Sequence, residues 1–301
     1  KGIGESVIFA VLQLNRRDAA AEAAAVRDFA DTVPPVIRSM NIRRPDDRLK
    51  VAVGFSSDAW GELFPGRPKP RQLERFAALG NGSAQLPSTP GDIFLHVRAK
   101  TEAVVYEVVS QLIPTLADAA TVVDETHGFG YFEGRAIIGF IDGTEAPDED
   151  EAPDYAIVGD EDPAFVNGSY AFASRWIHDM ADWNARPTDE QERLIGRAKF
   201  SDLELDDEAK APNAHNVASQ DNEGGVEHKI VRMNVPFAEP AKGVAGTYFI
   251  GYARDWAVTK RMLANMVDQQ DALFSFSTVE TGTAFFIPSK SLLAQIAEGE
   301  F

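Results

Sequence analysis

The chain has 301 residues, 44% hydrophobic and 25% charged, with a formal net charge of −18. That is a globular composition, long enough for one large domain or two ordinary ones, and its acidity argues against nucleic acid or an anionic membrane as partner. It has no cysteine, which excludes disulfides, zinc–thiolate sites, iron–sulfur clusters and any cofactor held through a thiolate.

No apolar run approaches the roughly 20 residues that span a bilayer, and no secretory signal is visible, although Lys1 need not be the native start. The expected location is the cytoplasm.

From the N-terminus, Ser6 to Asn15 reads as a buried strand. Asp18 to Met40 carries Val26, Phe29, Val33 and Ile37 at helical spacing, and Pro34-Pro35 is expected to break or kink that helix. A strand follows over Leu49–Phe55 and a short helix over Ser56–Phe64, then a Pro/Gly-rich excursion from Pro65 to Pro90. Asp92 to Lys100 alternates as a strand, the next helix carries Val105, Val108, Val109, Leu112 and Leu116, and Thr121 to Tyr131 is a fourth strand. The apolar run Ala136–Ile138 reads as a further buried strand that stops at Asp142.

The second half repeats the plan. Strands are expected over Ser169–His178, Lys229–Pro236, Thr247–Ala253 and Ala284–Pro288. Helices are expected over Thr188–Phe200, opened by Thr188 and Gln191 at capping-box spacing, over Trp256–Gln269 and over Ser289–Ala297. The strand–helix pair beginning at Ile93 and Glu102 recurs at Thr247 and Trp256, an offset of 154 residues. Each half therefore reads β-α-β-β-α-β. The fold class is α+β: two tandem ferredoxin-like domains, 1–147 and 148–301, each a four-stranded antiparallel sheet with peripheral helices. Residues 200–228 form a long polar insertion, and loops of that length are often functional.

Chemistry concentrates in a few places. In Gly139-Phe140-Ile141-Asp142-Gly143-Thr144-Glu145-Ala146-Pro147, two glycines allow a tight path and one carboxylate is left beside an apolar run. Of the five histidines, His96 and His178 lie in expected strands as satisfied core or surface residues, while His127 and His228 sit among charges. His215 lies in the long insertion without the partners that zinc requires. In Lys229–Val235, period-two alternation puts Arg232 and Asn234 on one face. A buried arginine there needs an anionic partner. The acidic run Asp148–Glu151 lacks the alternating ligands of a calcium loop and reads as solvated linker.

Gly139-x-x-Asp142-Gly143-Thr144-x-x-Pro147, the His215 loop and the Arg232-x-Asn234 strand, in that order, resemble the dye-decolourising peroxidase family over the whole chain, in its bacterial cytoplasmic short-loop form. Ala146 departs from the Asn frequent there. The resemblance implies a haem b peroxidase that reduces hydrogen peroxide to water through a ferryl-oxo intermediate and oxidises dyes, phenols and other one-electron donors. It implies His215 as the iron ligand, Asp142 and Arg232 on the peroxide side with Asn234, and Gly143, Thr144, Phe249 and Asp271 as further cofactor-binding residues. Arg232 is expected to pair with Asp142 and a haem propionate or bound peroxide, and Asp271 to accept from the His215 ring.

Trp176, Trp183, Trp256, Tyr248 and Tyr252 are candidate electron carriers to the surface. Hydrogen peroxide, small or bulky organic reductants and further copies of the chain, as a dimer or higher homo-oligomer, are the expected partners. Two other readings are a haem- or porphyrin-processing protein and a non-enzymatic ferredoxin-like binding module. No extension of the kind that docks relatives inside encapsulin shells is expected at the chain's C-terminal end.

Overall fold

A computed structural model describes residues 5–301. The first half contains β1 (Ser6–Leu14), α1 (Ala19–Arg43), β2 (Lys50–Phe55), α2 (Ser57–Leu63), the hairpin β3 (Leu79–Asn81) and β4 (Ala84–Leu86), β5 (Ile93–Ala99), α3 (Glu102–Leu112) and β6 (Ala120–Phe129). After α4 (Ala152–Ala156), the second half runs β7 (Ser169–His178), α5 (Met180–Ala185), α6 (Thr188–Ile195), α7 (His215–Ala218), β8 (Val231–Glu239), β9 (Val244–Ala253), α8 (Trp256–Asp268), β10 (Ser277–Val279), β11 (Thr283–Ile287) and α9 (Lys290–Glu298).

The strands lie in the order β6-β1-β5-β2-β11-β7-β9-β8. Within each half, counting only its own four long strands, that order is fourth, first, third, second: the ferredoxin-like arrangement occurs twice. The two four-stranded arrays meet edge to edge in one sheet, joined where Phe286 of β11 pairs with Phe55 of β2. The sheet curls until its terminal strands approach, Gly128 of β6 lying against Val235 and Pro236 of β8.

This curl explains why β1 reads as one apolar run. Ile8, Leu12 and Leu14 face the core under the helices, while Val7, Phe9 and Val11 face a second core enclosed by the sheet. A strand covered on both faces loses the alternation of a half-exposed one. Burying a Phe or Leu side chain contributes about 2 kcal/mol, so both cores hold the curl.

Three sequence expectations differ from the structure. Pro34 and Pro35 do not interrupt α1, which continues through them to Arg43. Both prolines are exposed, so water can take the carbonyls they leave unpaired, while Val26, Phe29, Val33, Val36 and Met40 stay buried on the opposite face. The capping box of α6 does not form, and Pro187 occupies the N-cap without a side-chain bond. Gln191 instead points inward, donating to the Trp183 carbonyl at 2.7 Å and accepting from Lys199 at 2.6 Å. The helix stops at Ile195 because Gly196 turns left-handed at φ 90°.

Finally, Ala136–Ile138 is not a strand. Ala136 N–H donates to Phe140 O at 2.8 Å, closing a turn, while Ile138 and Phe140 bury against Trp183, Ile195 and Phe276. The apolar run serves this small third core rather than a sheet.

Candidate active site

A cleft opens on one face of the second half. Strands β7, β8 and β9 supply Trp176, Arg232, Asn234 and Phe249; α7 and α8 supply His215, Ser219, Met262 and Met266; the Gly139–Glu145 segment supplies Asp142, Gly143 and Thr144. All the sequence-predicted site residues except Asp271 line this one cavity, and Asp271 lies directly behind it.

The two glycines of the Asp142 segment have φ of 92° (Gly139) and 78° (Gly143), the left-handed path their positions suggested. The segment lies along β8, an edge strand bonded on its other side to β9. An edge strand leaves alternate N–H groups without a ladder partner, and Asp142 takes one of them. Its Oδ2 accepts from Asn234 N–H at 3.1 Å, and its Oδ1 accepts from the Asn234 side-chain amide at 2.7 Å. Thr144 is turned outward, its hydroxyl bonded to Asp202.

Arg232 does not pair with Asp142. Its ion-pair contact is Glu145 at 3.9 Å, and among the described residues its guanidinium makes no hydrogen bond. Glu145 is held more closely by Arg197 at 3.2 Å, which in turn binds Asp202 at 3.0 Å. Two guanidinium groups therefore share one carboxylate at the cavity wall. Arg197 and Glu145 were missed as site residues. Glu145 stood inside the motif, but nothing in the pattern around Arg197, just past a helix stop, pointed to it.

Helix α7 begins at His215, between the fully buried Ala214 and Ala218. Its Nδ1 lies 2.7 Å from Oδ2 of Asp271, which is 1% exposed. A carboxylate can only accept, so Nδ1 carries a proton, and in the neutral ring the lone pair is on Nε2. Asp271 Oδ1 also accepts from Leu273 N–H at 2.9 Å, which fixes the carboxylate in place. His178 also reaches the cavity, but both its nitrogens are engaged, with Ser277 at 2.7 Å and Thr247 at 2.8 Å. Burial pushes its pKa down to about 4, so it stands as a neutral, satisfied part of the wall.

The position of α7 depends on Gly196. A Cβ there would fall 1.8 Å from Oδ1 of Asn216, the neighbour of His215, and the left-handed backbone adds its own strain of about 1–2 kcal/mol for a residue with a side chain. Gly196→Ala is expected to lose more than that backbone term in urea denaturation. An unchanged midpoint would mean that α7 shifts freely.

The arrangement holds one imidazole, a carboxylate and a guanidinium without hydrogen bonds among the described residues around a mainly apolar cleft, a set suited to a metal-bearing planar group and a small polar reactant. Comparison with known proteins agrees. Residues 2–130 match the family model for the N-terminal part of Dyp-type peroxidases, and residues 133–292 match the model for their C-terminal part. The chain belongs to the Dyp-type peroxidase family.

It is 43% identical over 278 residues to a dye-decolorizing peroxidase of Mycobacterium tuberculosis, covering 90% of this chain and 82% of that one. A crystal structure of a dye-decolorizing peroxidase from Bacteroides thetaiotaomicron superposes with a TM-score of 0.92 at 46% identity, over 98% of this chain and 96% of the other. A variant of DypB from Rhodococcus jostii, solved in complex with heme, superposes with a TM-score of 0.92 at 39% identity, over 97% and 95% of the two chains.

Proposed function

We propose that the chain is a haem b peroxidase that reduces hydrogen peroxide to water at the expense of dyes, phenols and other one-electron donors. The observation that carries this reading is the single cleft in which His215 offers Nε2, backed by Asp271, while Asp142, Asn234 and Arg232 line the same space. The residues present fit a haem: the walls are mainly apolar, the free imidazole nitrogen suits iron, and Arg232 and Arg197 suit its propionates.

When bound, the haem supplies an iron that takes up peroxide and accepts electrons singly. The chain's own residues do the rest. Asp142, oriented by Asn234, takes a proton from one peroxide oxygen and returns it to the other, so that water can leave. Arg232 stabilises negative charge as the O–O bond lengthens. Asp271 keeps the His215 ring oriented and more basic.

The deciding measurement is the absorption spectrum of haem-reconstituted protein beside His215→Ala, with and without one equivalent of peroxide. A Soret band that needs His215 and changes with peroxide supports ligand and reaction together; a band insensitive to His215→Ala moves the ligand elsewhere. Mass analysis of the porphyrin afterwards separates peroxidase turnover from porphyrin processing. Asp271→Asn is expected to weaken haem binding by about 10–100-fold, read by haem transfer to an excess of apomyoglobin. An unchanged transfer rate would remove Asp271 from this role.

The same reading treats residues 1–147 and 148–301 as two units, supported by the repeated strand order, and the protein as a cytoplasmic homo-oligomer, dimer or higher. No helix among the described residues is long and apolar enough to cross a membrane. Light scattering after size exclusion tests the association between copies.

A further inference from the structure

On β9, Phe249 faces the cleft while Tyr248 and Tyr252 face the core enclosed by the sheet. Tyr252 meets His96, which comes from β5 in the other half of the chain. Its hydroxyl lies 2.7 Å from His96 Nδ1, and the two rings are nearly parallel, 12° apart. His96 is buried, and its Nε2 has no partner among the described residues.

The count of polar groups decides who donates. If the phenol O–H donates to Nδ1, one donor, Nε2–H, is left over. If Nδ1–H donated to the phenol oxygen, the O–H donor and the Nε2 acceptor would both be left over. Unmade bonds in an enclosed space are costly, so the O–H donates and the imidazole is neutral. Burial and the charge of Arg98 push the His96 pKa down to about 3, so its acceptor stays free of a proton at ordinary pH.

We propose that Tyr252 and His96 form a redox-active pair, in which Tyr252 yields one electron to the peroxide-oxidised haem across its own sheet as its phenolic proton moves to His96 Nδ1. The O–H bond breaks and an N–H bond forms. The haem is reduced by one electron, and Tyr252 becomes a neutral radical beside an imidazolium. An external donor then returns the electron, and the proton returns to the phenol oxygen. The inference rests on the peroxidase reading for its oxidant.

Two features set Tyr252 apart. Gly251, its neighbour, pairs across the ladder with Arg232 at the cleft, so the phenol sits one residue from the site on the opposite face of a single sheet. Tyr252, whose hydroxyl is enclosed with His96, is also half-buried as a residue, which gives a donor too bulky for the cleft a place to deliver electrons. None of the other candidates is hydrogen-bonded to an imidazole among the described residues. The Trp183 indole donates to the Ile138 carbonyl, Trp256 donates to Glu74, and Tyr248 is fully buried with no hydrogen bond to a side-chain base among the described residues. An imidazolium beside Arg98 is unstable, so the hole remains strongly oxidising and the proton returns readily.

The test is rapid-freeze electron paramagnetic resonance of the holoenzyme after one equivalent of peroxide without reductant. A tyrosyl signal is expected that disappears in Tyr252→Phe, while the rate of the haem's own reaction with peroxide is unchanged. His96→Phe keeps the tyrosine but should slow radical formation by about 100-fold, the lower range for loss of a proton acceptor, and remove its solvent deuterium effect. A signal surviving Tyr252→Phe, or formation indifferent to His96→Phe, would overturn the proposal. Flash oxidation of the haem-free full chain by a ruthenium polypyridyl complex reads the same pair without peroxide. A haem that ignores peroxide therefore defeats the peroxidase reading alone, and the flash result decides the pair.

Discussion

Arg232→Leu is expected to lower the second-order rate constant for peroxide by about 10³-fold, with haem uptake retained. The reason is the looseness of its surroundings. A guanidinium whose ion-pair contact is 3.9 Å from Glu145, with no hydrogen bond among the described residues, is free to turn toward charge developing in the cleft. Asp142 is more fully engaged, with both oxygens already accepting from Asn234. Asp142→Asn is therefore expected to cost less, about 10²-fold. Lysine at position 232 should not rescue the loss, since a point charge cannot reproduce the planar fork. Stopped-flow at the Soret band measures all three, and an Arg232→Leu rate within tenfold of wild type would remove Arg232 from the chemistry.

Acid should weaken the fold before it stops the chemistry. His178 and His96 are buried neutral, with pKa values pushed down to about 4 and about 3. The unfolded chain protonates its histidines near 6.5 while the folded chain does not. Stability from these two groups is thus complete above pH 6.5 and falls as the pH drops toward their folded values. By pH 4.5 each is expected to have cost about 2–3 kcal/mol. Glu74 and Glu161, held low by Lys260 and Arg254, lose their contribution only further down. Asp124, raised by burial, works in the opposite sense.

Urea titrations of the haem-free chain at pH 7 and 4.5 check this, and His96→Phe should remove about half of the difference. No difference between the two pH values would contradict it. Carboxylic acids as a class titrate near 4, so initial rates should persist in mildly acidic solution while the protein stays folded. A rate that collapses below neutrality with the fold intact would argue against a carboxylate base.

Much of this was legible from local pattern. Strands such as Ser169–His178 and Thr247–Ala253 carry their apolar residues at strand spacing, and the offset between Ile93 and Thr247 exposed the repeat. Local pattern misled where burial overrode it: proline tolerated on the outer face of α1, Gln191 drawn inward from α6, and Ile138 serving a loop-borne core. The contacts that make the site join residues far apart, Asp142 with Asn234 and His215 with Asp271. No local spacing encodes them, and a family likeness was needed to put those residues together. The Arg197–Glu145 contact joins two irregular segments, and no periodicity or motif marks Arg197. Neither the seam between β2 and β11 nor the curl of the joined sheet was legible, because both depend on where whole arrays end.

The packing of α9 bears on how the protein is made. Leu292, Leu293 and Ile296 lie in the core that also holds Val26, Phe29 and Met40 of α1, and the ring of Phe301 packs against Trp60 and Phe64 at centroid distances of 5.6 and 5.4 Å. The first helix is thus covered by residues at the far end of the second half, which leave the ribosome long after it. Until they emerge, the nascent first half shows an apolar surface that chaperones can bind, and that surface is buried only once the second half has been made.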